Sequence, residues 1–233
     1  MIDWHTHILP EMDDGSRDVA ESVSIFNMQV AQGVSTIIAT PHFYANDETV
    51  DAFLDRRDKA LALLKTNLPD GPPEIKPGAE VRYYQGISRL AELKALRIEG
   101  TALLLLEMPM SVWTEYMVRE LIELSGKSDI KIILAHTERY LSLQKKAVWD
   151  RVYDSGILAQ VNASFFTAFS SRRKALSLLR EGKIHFVGSD CHNTTTRPPQ
   201  NGKAFEIIRK KLGDDYIAQM NKYGYSVLAA ESN

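Results

Sequence analysis

The sequence predicts an α/β fold in which seven parallel strands, separated by helices, close into a barrel. Two observations favour this class. Short apolar segments alternate with segments of helical periodicity along all 233 residues, without a linker or a shift in composition, and this alternation is typical of parallel sheets with right-handed crossovers. Side chains that bind metals follow most of the apolar segments, as expected where strand ends meet at one rim of a barrel. We therefore expect a single domain spanning residues 1–233.

The predicted strands are short runs of apolar or β-branched residues, as in a buried parallel sheet. They lie at residues 1–7, 36–40, 74–80, 103–106, 131–135, 157–161 and 184–187. The usual barrel of this class has eight strands, so seven units would be a departure. An open, doubly wound sheet is the alternative. It would need a glycine-rich phosphate loop after an early strand, and the sequence has none.

The predicted helices carry apolar residues at spacings of three and four. They lie at residues 19–30, 50–64, 87–96, 115–124, 143–154, 172–180, 203–212 and 215–223. We expect Ser16 to cap the first helix and Gly33 to end it. The apolar stripe expected to face the core in this helix consists of Val19, Val23, Phe26 and Val30.

Composition limits the classes of function. The chain is 44% hydrophobic and 25% charged, as in an ordinary globular protein, and its net charge is −2. A pI near 6.3 gives no electrostatic basis for binding nucleic acid or an acidic membrane surface. Cys191 is the only cysteine, which excludes an internal disulfide and fits a reducing compartment. Without a secretory leader or a long apolar segment, we expect a cytoplasmic protein that does not insert into membranes.

Residues able to bind metals stand where six of the seven predicted strands end. His5 and His7 begin this set, because residues i and i+2 of a strand lie on the same side and can approach one ion. The remaining histidine, His185, lies at the opposite end of its strand, where we expect a structural role. With one acid from the first loop, the candidate ligands are His5, His7, Asp14, His42, Glu80, Glu107, His136, Asp190 and His192.

Four carboxylates in one partly buried mouth would repel one another and be costly to desolvate. No comparable set of lysines and arginines occurs at these strand ends to pair with them, so we expect bound cations to supply the missing charge. Five imidazoles and four carboxylates exceed the needs of one ion and suit two or three. A ligand set of nitrogen and oxygen without thiolate is compatible with zinc, manganese or iron.

Seven short motifs carry a resemblance to a known family. They are DWHTHILP at 3–10, DDG at 13–15, ATPH at 39–42, GAE at 78–80, LE at 106–107, HTERY at 136–140 and GSDCH at 188–192. On these motifs the sequence resembles the polymerase and histidinol phosphatase (PHP) family of metal-dependent phosphoesterases. It is most similar to the bacterial protein-tyrosine phosphatases of capsule and exopolysaccharide biosynthesis. The resemblance implies a distorted seven-stranded (β/α)7 barrel of PHP type.

The resemblance also implies three divalent metal ions, manganese first, with iron and zinc as alternatives. It gives Arg139 and Arg197 the role of binding phosphate, for which a planar guanidinium that donates two bonds is suited. Four carboxylates and three divalent ions would leave the site about two charges positive, which would attract a phosphate dianion. The implied ligand groups are His5, His7, Glu80 and Asp190 for one ion, Glu80, Glu107 and His136 for a second, and Asp14, His42 and His192 for a third.

The function implied by the resemblance is hydrolysis of phosphotyrosine by a metal-held hydroxide that attacks in line with the leaving oxygen. The expected partner is a phosphotyrosine protein, the tyrosine-rich tail of an autophosphorylating kinase that controls polysaccharide export. A homo-oligomer stays open, because the helix at residues 19–30 could face either the barrel or a second copy.

Four other interpretations can be compared with this one. Residues 191–197 have the Cys-x5-Arg spacing of cysteine-dependent phosphatases but contain no glycine for a tight anion-binding loop. We therefore interpret Cys191 as a packing residue without a catalytic role. An amidohydrolase-type barrel would place a histidine at the sixth strand, where this chain has Asn162. A small-molecule phosphatase, such as one acting on histidinol phosphate, would use the same ligands. A catalytically silent, metal-bound regulator would be free to lose some of them.

Overall fold

The computed structural model describes residues 1–230, and the strands within this range all pair in parallel. They are β1 (Ile2–Thr6), β2 (Thr36–Ala39), β3 (His42–Phe43), β4 (Glu74–Pro77), β5 (Glu80–Arg82), β6 (Leu103–Glu107), β7 (Lys131–Leu134), β8 (Leu158–Asn162) and β9 (Phe186–Gly188).

Helices connect these strands. They are α1 (Val19–Ala31), α2 (Val50–Lys65), α3 (Glu115–Ser125), α4 (Lys146–Asp154), α5 (Ala163–Thr167), α6 (Arg172–Arg180), α7 (Asn201–Leu212) and α8 (Asp214–Ala229). Short 3-10 helices occur at Ile87–Arg89, Ala91–Leu96 and Thr137–Arg139. Among residues 1–230, no helix combines the length and the apolarity needed to cross a membrane.

The strands form one sheet in the order β1-β2-β4 and another in the order β3-β5-β6-β7-β8-β9. Two residues separate β2 from β3, and two separate β4 from β5, so the chain passes directly between the sheets in both places. Beyond β9, the Asp190 amide donates to the His5 carbonyl (2.8 Å) and the His7 amide donates to the Cys191 carbonyl (2.9 Å). The parallel strands therefore curl into a barrel-like α/β fold, which confirms the predicted class.

An apolar layer lies beneath the rim that carries the polar strand ends. Trp4 stacks on Phe186 with ring centroids 3.8 Å apart. Both belong to a buried cluster that includes Leu105 and Ile133 from the middle strands and Val227 from α8. The C-terminal helix thus packs against the same layer, and burial of this layer holds in register the strands whose ends form the rim.

Helix α1 begins at Val19, where the predicted helix begins, but its N-cap and its buried face differ from the prediction. Its N-cap is Asp18 rather than Ser16, because the Asp18 carboxylate accepts the Glu21 amide at 2.8 Å. Of the predicted apolar stripe only Phe26 is buried, and Val30 is 45% exposed. The prediction failed in part because hydrogen bonds to Arg17 and Ser16 allow Glu21 and Ser22 to be buried here. The buried residues of α1 are Glu21, Ser22, Ile25, Phe26 and Gln29.

Several other predicted boundaries were wrong at irregular positions. The strand expected over 74–80 is interrupted between Pro77 and Glu80, and the helix expected over 87–96 is two 3-10 helices separated by the extended residue Leu90. The helix expected from residue 143 begins at Lys146. Neither α5 nor the continuation of α8 to Ala229 was predicted.

Candidate metal centre

The carboxyl ends of the strands, with the loops that follow them, bring all nine candidate ligands to one rim. Contacts of 2.8–3.8 Å between side-chain nitrogen and oxygen atoms join them into one continuous network. Most of these side chains are buried, whereas that of Asp14 is 67% exposed. The residues therefore lie together, and their role as ligands stays a prediction.

His5 and His7 point at the same place, as their spacing in a strand implies. Their Nε2 atoms lie 3.1 Å apart. Oε2 of Glu80 lies 3.1 Å from the first and 3.3 Å from the second, and Oδ1 of Asp190 lies 3.8 and 3.5 Å from them. Ligand atoms about 2.0–2.2 Å from one tetrahedral ion lie about 3.3–3.6 Å from each other, so these four groups have the spacing of a shared ion site.

Glu80 connects this group to a second one. Its Oε2 lies 3.1 Å from His42 Nδ1, and its Oε1 lies 2.8 Å from His136 Nε2. Glu107 Oε1 is 3.6 Å from the same His136 nitrogen, and the ligand atoms of His42, Glu80 and Glu107 lie within 4.8 Å of one another. A second candidate site therefore lies between the two glutamates, with both histidines near it, whereas the resemblance implies only His136.

A third group lies toward the first loop. Ligand atoms of His7, Asp14, His42 and His192 lie within 4.8 Å of one another. Oδ1 of Asp14 is 3.3 Å from His192 Nε2 and 3.5 Å from His42 Nε2. Because Asp14 is exposed and comes from a loop rather than a strand, it is the member of this group that the barrel holds least firmly.

Glu107 is the rim carboxylate whose charge the protein compensates least, because neighbouring histidines hold the pKa of Glu80 low despite its burial, and histidines together with Arg139 do the same for Asp190. Burial, with repulsion from Glu80, raises the pKa of Glu107 to about 7, and Glu107 Oε2 has no hydrogen-bond partner within residues 1–230. Although burial opposes a charge on His5, the carboxylates of Glu80 and Asp190 hold its pKa above the usual value. The site thus attracts protons where divalent cations would supply the same charge, so these residues fit metal ions.

Although burial opposes a charge on His7, the carboxylate of Asp13 holds its pKa well above the usual value. The other three imidazoles of the rim favour the neutral form. Burial lowers the pKa of His42 and His136, and it lowers that of His192 to about 4. Neutral imidazole is the form that binds metals. His185 lies away from the rim, where its Nδ1 accepts the Ala159 amide at 2.9 Å, a contact that fits the structural role expected for it.

Arg139, at the end of a 3-10 helix, and Arg197, in the loop after β9, approach one carboxylate. The Arg139 guanidinium donates to Oδ2 of Asp190, and Nη2 of Arg197 lies 2.9 Å from the same oxygen. Their side chains are 34% and 40% exposed, so both also face solvent at the mouth. Since His5 and His7 face the other oxygen, Oδ1, Asp190 stands between the imidazoles and the arginines.

Backbone strain or close packing occurs at three of the candidate ligands. His136 has φ of 30° and Asp190 has φ of 50°, values that residues other than glycine rarely adopt. Such strain is typical of functional sites. A Cβ at Gly188 would lie 2.6 Å from His5 Cβ, so only glycine lets β9 approach β1 closely enough for both strands to supply ligands.

Asp13 belongs to the site, although the sequence analysis did not select it. Its Oδ2 lies 2.8 Å from His7 Nδ1 and accepts the His42 amide at 2.7 Å, and its Oδ1 accepts the Gly15 amide at 2.9 Å. A carboxylate bound to the far nitrogen of a metal-binding histidine fixes the tautomer and orientation of the ring. The Asp13-Asp14-Gly15 motif could have identified it. Adjacent carboxylates in a turn point in different directions, so Asp14 could be a ligand while Asp13 orients one.

Strand β8 supplies two buried amides instead of a ligand. Oε1 of Gln160 accepts the His136 amide at 2.7 Å and lies 3.4 Å from His5 Nδ1. Nε2 of Gln160 donates to Asn162 Oδ1 at 3.1 Å, and Asn162 Nδ2 donates to Asp190 Oδ2 at 2.7 Å. Two amides thus hold candidate ligands from three other strand ends. Their signal in the sequence was a pair of amides at alternate positions of an otherwise apolar strand.

The loop from Cys191 to Arg197 does not form a phosphate cradle. The backbone amides of Thr195, Thr196 and Arg197 donate to Asn193 Oδ1 at 3.0, 2.7 and 3.0 Å, so they are not free to bind an anion. Cys191 is fully buried, and burial raises the pKa of its thiol. These contacts oppose a cysteine-dependent mechanism.

Known proteins resemble this chain over nearly its full length. Residues 1–224 match the family described as capsular polysaccharide synthesis, CpsB/CapC. Tyrosine-protein phosphatase YwqE of Bacillus subtilis (strain 168) is 33% identical over 225 residues, which cover 92% of this chain and 86% of that protein. Tyrosine-protein phosphatase CpsB of Streptococcus pneumoniae is 30% identical over 235 residues, which cover 91% of each chain.

A solved structure shows the same similarity in three dimensions. It comes from work on YwqE from Bacillus subtilis and CpsB from Streptococcus pneumoniae, described as unique metal-dependent tyrosine phosphatases. It superposes on this chain with a TM-score of 0.84 at 27% sequence identity. The superposition covers 99% of this chain and 95% of the other.

Proposed function

The chain belongs to the CpsB/CapC family of capsular polysaccharide synthesis, and we propose that it is a metal-dependent protein-tyrosine phosphatase. The observation that carries this proposal is the continuous network of nine metal-type side chains with two arginines at one of its carboxylates. The similar proteins named tyrosine-protein phosphatases support the reaction type, and the related structure described as metal-dependent supports the cofactor class.

Three divalent ions are proposed at the rim, with manganese as the expected metal and iron or zinc as alternatives. When bound, such ions polarise phosphoryl oxygens and lower the pKa of water. The spacing of the ligand atoms and the uncompensated charge of Glu107 support this set. The proposed groups are His5, His7, Glu80 and Asp190; Glu80, Glu107 and His136; and Asp14, His42 and His192.

The protein's own residues would bind and orient the phosphate. Arg139 and Arg197 already lie at one oxygen of Asp190 and are partly exposed, so a phosphate dianion at the mouth would meet two planar cations. Gln160, Asn162 and Asp13 would hold the ligands in position. A tyrosinate leaving group, with a pKa of about 10, needs less protonation than an alkoxide, so the proposal assigns no general acid.

The proposed form of the fold is a distorted seven-stranded barrel of PHP type. In this description β2 and β3 are one strand interrupted at Thr40 and Pro41, and β4 and β5 are one strand interrupted at Gly78 and Ala79. The backbone hydrogen bonds between β1 and the residues that follow β9 support closure.

The proposed substrate is a phosphotyrosine protein, the tyrosine-rich tail of a kinase that controls polysaccharide export. This reaction would take place in the cytoplasm, where protein kinases have their ATP. The family's role in capsular polysaccharide synthesis supports this choice of partner. A homo-oligomer stays a prediction, which light scattering on the purified protein would measure.

Turnover of three substrates tests the proposed function. The protein is stripped of metal with a chelator, reloaded with Mn²⁺, and assayed with a phosphotyrosine peptide, histidinol phosphate and a generic aryl phosphate. We expect the peptide to be the best substrate. A preference for histidinol phosphate would indicate a small-molecule phosphatase instead. Metal binding without turnover of any phosphoester would refute the proposed enzymatic activity and favour the alternative of a catalytically inactive regulator.

Metal content tests the proposed ligands. We expect about three ions per chain by elemental analysis of the reloaded protein, and fewer after His5→Ala or Glu80→Ala. Arg139→Gln and Arg197→Gln should keep the metal content but raise the KM for the phosphopeptide. Full metal content in the first two variants would contradict the assignment.

A further inference from the structure

A cationic cleft lies beside helices α6 and α7, outside the metal centre. Its volume is about 560 Å³, and its basic side chains are Arg172, Arg173, Arg180 and Lys211. Leu176 contributes buried apolar surface to it, and Phe169 lies at its edge. No carboxylate lines the cleft, so its charge is wholly positive. We call this surface the α6–α7 cleft.

The cations of the cleft are not neutralised by the protein. Within residues 1–230, Arg173, Arg180 and Lys211 form no ion pair, although the neighbouring Arg209 and Lys210 of α7 do. The α6–α7 cleft therefore keeps its positive charge while an adjacent turn of the same helix does not. A concave surface of one sign concentrates ligands of the opposite sign.

One of these cations is held rigidly. Arg172 donates from Nε to the Phe166 carbonyl (3.0 Å) and from Nη2 to the Thr167 carbonyl (2.9 Å). A guanidinium fixed by two backbone oxygens loses little further freedom when its remaining N–H groups bind an anion. This arrangement favours recognition of a compact anion such as phosphate.

Phe169 adds an aromatic surface to the cleft. Its side chain is 92% exposed, more than that of any other large apolar residue in the described chain. An aromatic ring that is left in water beside several cations suits a ligand that combines an anionic group with a ring of its own. Phosphotyrosine carries both.

The cleft lies within reach of a peptide bound at the metal centre. Asn162 donates to Asp190 at the rim, and Phe169 follows it by seven residues, so the two backbones are at most about 25 Å apart. A peptide segment of nine extended residues spans about 30 Å. One substrate chain can therefore occupy both places.

We propose that the α6–α7 cleft binds a second phosphotyrosine of the substrate chain while the metal centre acts on the first. The proposal rests on the proposed phosphatase function, because it concerns the same substrate. An anionic membrane fits less well, since the surface is concave and Glu181 and Asp214 follow its cations closely in the sequence. Docking of the second phosphate would lower the KM for multiply phosphorylated chains without changing kcat.

Steady-state kinetics of the Mn²⁺-loaded protein tests this docking. The substrate is a peptide with two phosphotyrosines nine residues apart, and its control is the same peptide with an unphosphorylated tyrosine at the second position. We expect the KM of the wild type to be about tenfold lower for the doubly phosphorylated peptide. The charge-reversal variant Arg173→Glu, Arg180→Glu, Lys211→Glu should lose this difference, and Phe169→Ala should reduce it about threefold.

A matched variant controls for net charge. Lys65→Glu, Lys94→Glu, Lys222→Glu reverses three exposed lysines outside the cleft and should keep the tenfold difference. All variants should hydrolyse a small aryl phosphate at the wild-type rate, because the cleft does not contact the metal centre's ligands. Equal KM values for both peptides in the wild type, or an equal loss in the matched variant, would overturn the proposal.

Binding measurements separate this proposal from the phosphatase function. If the wild type hydrolyses neither peptide, the proposed function fails, but fluorescence anisotropy of the labelled doubly phosphorylated peptide still tests the cleft. Wild-type binding that the charge-reversal variant lacks would support docking. If the charge-reversal variant instead loses the wild type's binding to vesicles of anionic lipid but binds the peptide as the wild type does, the cleft is a membrane-contact surface. That result would refute our choice of ligand.

Discussion

Replacing Gln160 by methionine tests whether strand β8 organises the metal centre. The side chain is fully buried, and methionine has nearly the same volume without the polar atoms. The substitution removes the acceptor of the His136 amide and of His5 Nδ1, and the donor to Asn162. Ligands from two strands would then lose the group that sets their orientation.

The expected magnitude follows from these contacts. A buried amide at His136 without a partner costs about 1–3 kcal/mol, and loss of the bond to Asn162 costs about 1 kcal/mol more. The free energy of unfolding of the metal-free protein should therefore fall by roughly 2–4 kcal/mol, or roughly 4–16 °C in Tm for a chain of this size. Metal affinity should fall about tenfold to hundredfold, as for other groups that orient metal ligands.

Gln29→Met is the matched control. Gln29 is also fully buried, but neither polar atom of its side chain has a hydrogen-bond partner within residues 1–230, and it lies outside the ligand network. Removing two unpaired polar atoms removes their desolvation cost, so this variant should be at least as stable as the wild type. Competition with a fluorescent chelator measures Mn²⁺ affinity, and thermal unfolding measures stability. Wild-type Mn²⁺ affinity in Gln160→Met would refute the reasoning, whatever happens to its Tm.

Three further predictions concern the rim. Gly188→Ala should abolish metal binding, because its Cβ would lie 2.6 Å from that of His5; elemental analysis measures this, and retained metal would contradict it. Cys191→Ser should keep phosphatase activity, and inactivity with full metal content would restore the cysteine mechanism. Glu107 and His5, whose pKa values are raised, bind protons more tightly in the metal-free fold than in the unfolded chain. Their contribution to stability is therefore present at low pH and is lost as pH rises, through about 7 for Glu107. Mn²⁺ should therefore raise Tm more at pH 8 than at pH 6; an equal increase would count against bound cations replacing those protons.

The sequence predicted the convergence of the candidate ligands because strand order does not affect it. In a barrel-like parallel sheet every strand ends at the same rim, so residues as distant as His5 and His192 could be grouped without knowledge of the pairing. Helix α1 shows where this reasoning fails. Ser22 is buried there because its hydroxyl bonds Ser16 Oγ at 2.8 Å, and a tertiary hydrogen bond of this kind leaves no trace in the apolar pattern.

The opening strand shows a second limit. Trp4 packs on Phe186, whereas His5 lies against the glycine two residues further along β9. Residues i and i+2 of a strand share a face, so Trp4 and His5 face the same side of β9 although they are neighbours in β1. Regular alternation would place them on opposite faces, and the register of β1 against β2 does shift between Asp3 and Thr6.

This register shift allows β1 to supply side chains to both the apolar layer and the polar rim. A bulge moves every following side chain of a strand to the other face, so it lets His5 and His7 point into the mouth directly above Trp4. The His-x-His spacing predicts that the two histidines point to the same side of the strand. It does not predict whether Trp4 points to that side as well. The bulge has no signature in the residues of β1 themselves, because it is defined by the register of β1 against β2. Its position could be known only from the structure.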